Sequence, residues 1–123
     1  INNNTGSQYS NAVFGKWHLG PARQPSLPID MVIDFFSGMT QSGVDSYYNW
    51  SHTENGQVSS SNEYATTKLT DEAIEWISNQ SQPWFLWLAY NAPHSPYLLP
   101  PSDLHYQGGL ADDQASINAT RLT

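Results

Sequence analysis

The sequence contains no cysteine, few charged residues and no long hydrophobic run. The absence of cysteine excludes disulfides, covalently attached haem and cysteine-ligated zinc. Four Lys and Arg against eleven Asp and Glu give the 123-residue chain a net charge of -7. This charge argues against nucleic-acid and anionic-membrane binding, since both need a basic surface. The longest apolar run, residues 84–90, is far shorter than the ~20 residues of a membrane-spanning helix, so we expect no membrane span.

Aromatic residues are abundant in the chain. Five Trp, seven Tyr and four Phe supply a large apolar area, which favours a folded chain over a disordered one. The sequence begins at Ile1 without Met and lacks the pattern of a signal peptide. We therefore expect it to be an internal piece of a longer protein.

Two apolar segments predict strands, and the segments around them predict loops. Residues 9–14 are short, apolar and followed by Gly, as in a buried strand. Residues 84–90 are apolar without alternation, which is typical of a parallel strand covered on both faces. Residues 31–36 are predicted to form a short buried segment. Residues 15–28 and 37–62 are rich in Gly, Pro, Ser and Asn and are predicted to be loops.

Residues 66–78 carry the periodicity of an amphipathic helix. Apolar residues recur every four positions from Leu69 to Ile77. Thr67 or Thr70 is the predicted N-cap. A helix followed by an apolar strand indicates an α/β unit.

Three ionisable residues follow the two predicted strands. Lys16 and His18 come directly after the first, and His94 follows the second. Ligands of open α/β sheets bind beyond the carboxyl ends of strands, so these side chains are expected to converge on an anion. Alone, the Lys is more typical of a solvated side chain and each His of one that caps or packs, so the prediction rests on their combination. His52 and His105 lie in unpatterned stretches and are predicted to be exposed bystanders.

Other residues favour ordinary structural explanations. Trp17, Trp84 and Trp87 are expected in the core rather than on a sugar-binding platform. Asp112 and Asp113 form an acidic pair that is more typical of a solvated loop than of a cation site.

Four segments resemble, in order, sequence patterns of the sulfatase family. Residues 9–20 (YSNAVFGKWHLG) resemble its second signature, and residues 83–96 (PWFLWLAYNAPHSP) resemble its strand and loop with a sulfate-site histidine. Residues 34–38 (DFFSG) are similar to its GFDxFFG segment, and residues 69–77 (LTDEAIEWI) to its LTDxAIxFI helix. The resemblance spans about residues 9–105.

The resemblance implies an α/β architecture, namely part of an alkaline-phosphatase-like sulfatase fold with a mostly parallel sheet, flanking helices and long loops. Residues 1–123 would form a single incomplete segment of the catalytic domain. The resemblance assigns three residues to catalysis. Lys16 would bridge the sulfate and a formylglycine, His18 would bond the formylglycine hydroxyl, and His94 would contact the sulfate near the leaving oxygen. Lys16 and His94 would therefore also bind substrate.

The same resemblance implies a calcium ion and a formylglycine made from a Cys or Ser in a C/S-x-P-S-R motif. No such motif occurs here and no metal ligand is identified, so both are expected outside this chain, which alone should be inactive. The expected activity is hydrolysis of aryl or carbohydrate sulfate esters, small molecules or glycans, in the periplasm or outside the cell. Two alternatives stay open: a secreted carbohydrate-binding module, and a phosphonate or phosphate monoester hydrolase of the same fold.

Overall fold

A computed structural model describes residues 9–21, 24–31, 33–41 and 43–105. The elements are β1 (Ser10–Lys16), α1 (Leu27–Asp30), β2 (Phe35–Met39), β3 (Trp50–Glu54), β4 (Gln57–Ser61), α2 (Ala65–Ser78) and β5 (Trp84–Ala89). The described strands form one sheet in the order β4-β3-β2-β1-β5. β1 pairs in parallel with β2 and β5, whereas β2–β3 and β3–β4 pair antiparallel. The α/β prediction is confirmed, and the sheet is mixed because an antiparallel hairpin extends its parallel part.

The hairpin lies within residues 37–62, for which the sequence predicted a loop. That prediction was wrong for most of the segment, because β2, β3 and β4 all use parts of it. Asn55 and Gly56 form the turn, with φ angles of 45° and 87°, and two positive φ angles suit the tight turn of a twisted hairpin. β4 is exposed over most of its length, so it needs few apolar residues and resembles a loop in composition.

The sheet is covered on both faces near its centre. On one face, Ala73 of α2 packs against Ala12 and Phe14 of β1. On the other face, Trp17 and Phe36 contact each other edge to face at a centroid distance of 6.0 Å and pack with apolar residues around α1. The prediction that Trp17 lies in the core is therefore confirmed.

The longer of the two helices, α2, begins without a side-chain cap. The predicted caps, Thr67 and Thr70, both lie inside the helix, so the cap prediction was wrong. The Ala65 amide instead donates to the carbonyl of Tyr47 at 2.9 Å, and the Thr70 hydroxyl donates within the helix to the carbonyl of Thr66 at 2.7 Å. A distant loop thus satisfies an amide of the first turn. Neither helix of the described residues is long and apolar enough to cross a membrane.

β5 forms as predicted, but its side chains are not buried on both faces. Phe85 and Trp87 are 51% and 52% exposed, and Trp84 is 43% exposed. The prediction that Trp84 and Trp87 lie in the core was therefore wrong. β5 is an edge strand of the sheet, and only the face that carries Leu86 and Leu88 packs on the core cluster beneath α2.

Candidate active site

The carboxyl ends of the parallel strands approach closely because glycine occupies the row where they meet. Gly15 is paired with Gly38 on one side and with Ala89 on the other. A Cβ on Gly15 would lie 1.9 Å from the Ala89 carbonyl oxygen, and a φ of +107° already places Gly15 where other residues are strained. The close approach of Gly15 to Ala89 leaves no room for a side chain, and it sets the position at which the chain leaves β1.

An open cleft of about 580 Å³ lies at this end of the sheet. It is lined by Lys16, His18, Gly43, Val44, Asp45, His94, Ser95 and Pro96. The three side chains that the sequence singled out thus border one cavity, while their chemical roles stay predictions. Residues 43–45 also reach the cleft, from the connection between β2 and β3, and no motif in the sequence marks them.

Lys16 and His18 enter the cleft on either side of a buried residue. The Trp17 amide donates to the Met39 carbonyl at 3.0 Å, which extends the β1–β2 pairing by one bond, and its ring is buried. His18 is exposed and has a φ of 50°. A non-glycine residue in this conformation is strained by about 1–3 kcal/mol, and such strain concentrates at functional sites.

His94 is held by its backbone and by one ring nitrogen. Its amide donates to the Asn91 carbonyl at 2.9 Å, and its carbonyl accepts from the Tyr47 hydroxyl at 2.5 Å. Nδ1 lies 2.9 Å from the Ser95 carbonyl oxygen, which can only accept, so Nδ1 carries a proton. Nε2 is then the nitrogen available to a ligand, and it can donate only when the ring is cationic.

The charge of the cleft depends on its histidines. Lys16 contributes a positive charge, and the exposed Asp45 carboxylate opposes it. With neutral His18 and His94 the two charges cancel, whereas protonation of both rings gives a net positive cleft. Histidine protonation therefore favours an anion at this site.

A second polar cluster ties α2 to the sheet, and it corrects the prediction that His52 is an exposed bystander. His52 is 5% exposed and Ser37 is fully buried. His52 Nε2 lies 2.7 Å from Ser37 Oγ, and that hydroxyl donates to Glu72 Oε2 at 2.5 Å. His105 is also not exposed but half-buried.

The direction of these hydrogen bonds excludes a catalytic serine. Because Ser37 gives its proton to Glu72, its oxygen can only accept from His52 Nε2, whose proton also faces Glu72 Oε2 at 3.4 Å. A nucleophilic serine needs the reverse, with histidine accepting from the hydroxyl. Ser37 is moreover buried away from any substrate, so the cluster joins β2, β3 and α2 rather than reacting.

Glu72 is the charged centre of this cluster. Burial alone would raise the pKa of Glu72, but hydrogen bonds from His52, Lys68 and Ser37 outweigh burial and lower it from 4.5 to about 2. Lys68 Nζ lies 2.8 Å from Glu72 Oε1, and this bond raises the pKa of Lys68. The carboxylate is therefore ionised throughout the ordinary pH range.

Metal ligands do not cluster in the part of the chain that the structure describes. Within it, no group of three or more His, Asp or Glu side chains could hold a metal ion. Asp112 and Asp113 lie outside the described residues. The described residues thus do not fit a calcium ion, and the chain contains no C/S-x-P-S-R motif whose Cys or Ser could become formylglycine. The cleft supplies one cationic side chain, Lys16, and two imidazoles, those of His18 and His94.

Comparison with known proteins shows similarity to sulfatases. The Sulfatase family model matches residues 5–120. The chain is 30% identical over 113 residues to the uncharacterized sulfatase YdeN of Escherichia coli (strain K12), covering 72% of this chain and 20% of that protein. It is 28% identical over 107 residues to arylsulfatase J of Mus musculus, covering 75% and 18%.

A solved structure also resembles the chain. BT4656 in complex with its substrate D-glucosamine-2-N, 6-O-disulfate has a TM-score of 0.59 and 28% sequence identity, over 78% of this chain and 19% of that one. The chain therefore spans about a fifth of the length of the proteins it matches.

Proposed function

This chain belongs to the sulfatase family, and from that premise we propose that its full-length protein hydrolyses sulfate esters in the cleft lined by Lys16, His18 and His94. The observation that carries the proposal is the shared cleft itself. Three side chains from two strand ends, far apart in sequence, border one cavity at the carboxyl edge of parallel strands. That edge is where α/β proteins bind ligands.

The proposed roles follow from the charge of a sulfate ester. A sulfate monoester carries negative charge on its free oxygens, and more charge builds on the leaving oxygen as the ester bond breaks. Lys16 stabilises the sulfate as a fixed cation, and protonated His94 donates toward the leaving oxygen. His18 is assigned, by the family resemblance, to the hydroxyl of a formylglycine.

The formylglycine and a calcium ion belong to the proposal as groups held elsewhere in the full-length protein. The described residues fit neither, so no step of the proposal passes through them. The substrate is proposed to be an aryl or carbohydrate sulfate. Similarity to arylsulfatase J supports an aryl sulfate, and similarity to BT4656, whose substrate is a sulfated glucosamine, supports a carbohydrate sulfate. We further propose a periplasmic or secreted location, which a fractionation experiment can test.

The test uses the full-length protein and two substitutions. Lys16→Ala should lower kcat/KM for an aryl sulfate about 100-fold, as when a donor to a developing anion is removed. His94→Ala should slow poor leaving groups more than activated phenols, because a good leaving group needs less protonation. Tyr9→Ala, one residue before β1, is the control. Full activity in Lys16→Ala refutes the proposal, and faster cleavage of the matched phosphate monoester would favour a phosphatase.

A further inference from the structure

A second cavity, of about 550 Å³, lies beside the cleft. It shares His94 and Pro96 with the cleft but not Lys16 or His18. Three tyrosines line it, Tyr47, Tyr64 and Tyr97, together with prolines, leucines and one alanine; we call it the tyrosine pocket. Its volume is within the range of pockets that bind small molecules.

The walls of the tyrosine pocket are fixed by bonds between two distant segments. The Tyr47 hydroxyl donates to the His94 carbonyl at 2.5 Å, and the Tyr48 hydroxyl donates to the Leu99 carbonyl at 2.6 Å. Because Tyr47 and Tyr48 are adjacent in the chain, these two bonds hold both ends of residues 94–99 against one segment. Leu98 packs on the core cluster that contains Tyr47. A pocket built this way is formed before a ligand arrives, which lowers the entropy cost of binding.

The lining favours an apolar ring over a polar one. Among the residues that the structure describes, the lining contains no carboxylate, ammonium or guanidinium group, and its polar side-chain groups are tyrosine hydroxyls and the His94 imidazole. The Tyr47 hydroxyl is already bonded to a backbone carbonyl. A sugar would leave several hydroxyls short of partners here, at a cost in free energy. An aromatic ring has no such requirement and packs well against tyrosine.

We propose that the tyrosine pocket binds the aromatic ring of the phenol that leaves an aryl sulfate. The inference rests on the proposed function, because it takes the sulfate to lie in the cleft with Lys16. His94 borders both cavities and is assigned to the leaving oxygen. The ring attached to that oxygen then extends from His94 into the tyrosine pocket.

The test compares Tyr97→Ala, Tyr97→Phe and the control Tyr9→Ala in the full-length protein. The substrates are 4-methylumbelliferyl sulfate and glucosamine 6-sulfate, and inorganic sulfate serves as an inhibitor that reports on the cleft alone. Tyr97→Ala should lower kcat/KM for the aryl ester about tenfold through loss of ring packing, with the inhibition constant of sulfate unchanged. Tyr97→Phe keeps the ring and should restore the aryl rate.

An unchanged aryl rate in Tyr97→Ala, or a loss confined to glucosamine 6-sulfate, overturns the inference. If the wild type hydrolyses neither ester, the proposed function fails, and the pocket is judged by binding of the phenol 4-methylumbelliferone, followed by fluorescence. Weaker binding to Tyr97→Ala than to wild type and Tyr9→Ala supports the pocket. Equal binding overturns it.

Discussion

Glu72→Gln is expected to remove a part of the protein's stability that depends on pH. The pKa of Glu72 falls from 4.5 to about 2 on folding, which corresponds to about 3 kcal/mol in the free energy of unfolding. The Glu72 side chain is only 20% exposed, so solvent screens its partners little. Because the folded pKa is the lower one, this stabilisation is fully present above pH 4.5 and is lost as the pH falls toward 2.

Urea denaturation of the full-length protein at pH 6 and pH 3 measures this contribution. The difference in free energy of unfolding between wild type and Glu72→Gln should shrink by about 2 kcal/mol from pH 6 to pH 3. Glu75→Gln, an exposed position on the same helix, is the matched control and should show no such change. A difference that is the same at both pH values would show that ionised Glu72 does not stabilise the fold in this way.

Three further substitutions test the strand ends and the cleft. Gly15→Ala places a Cβ against the Ala89 carbonyl in a strained backbone conformation and should destabilise the protein by about 3 kcal/mol; an unchanged melting temperature would argue against this close approach. Tyr47→Phe leaves the His94 carbonyl without its donor and should cost about 1 kcal/mol of stability in urea, and stability equal to wild type would contradict it. Asp45→Asn removes the negative charge from the cleft and should strengthen inhibition by inorganic sulfate about twofold at low salt, whereas weaker inhibition would show that Asp45 aids anion binding.

The elements that the sequence predicted are those with a strong local pattern. β5 is a continuous apolar run, and α2 repeats its apolar residues at helical spacing. The three residues of the cleft were identified because each lies at or shortly after the end of an apolar segment that predicts a strand. Their convergence then required only that β1 and β5 be parallel neighbours, as they are.

The parts that the sequence did not predict depend on contacts between distant segments. Ser37, His52 and Glu72 lie on β2, β3 and α2, and no local pattern indicates that β2 and β3 pair or that α2 packs over them. The hairpin was missed because its outer strand is polar, although the dipeptide Asn55–Gly56 is a strong hairpin signal. The exposure of β5 likewise follows from its place at the sheet edge, which an apolar run cannot reveal.

Lys16 and His94 are proposed to bind one sulfate group, and a crystal structure of the full-length protein with inorganic sulfate can show whether they do. We expect a sulfate in the cleft, with oxygens within hydrogen-bond distance of Lys16 Nζ and of the His94 imidazole. A sulfate held elsewhere, with neither side chain in contact with it, would mean that these two residues do not form the sulfate site.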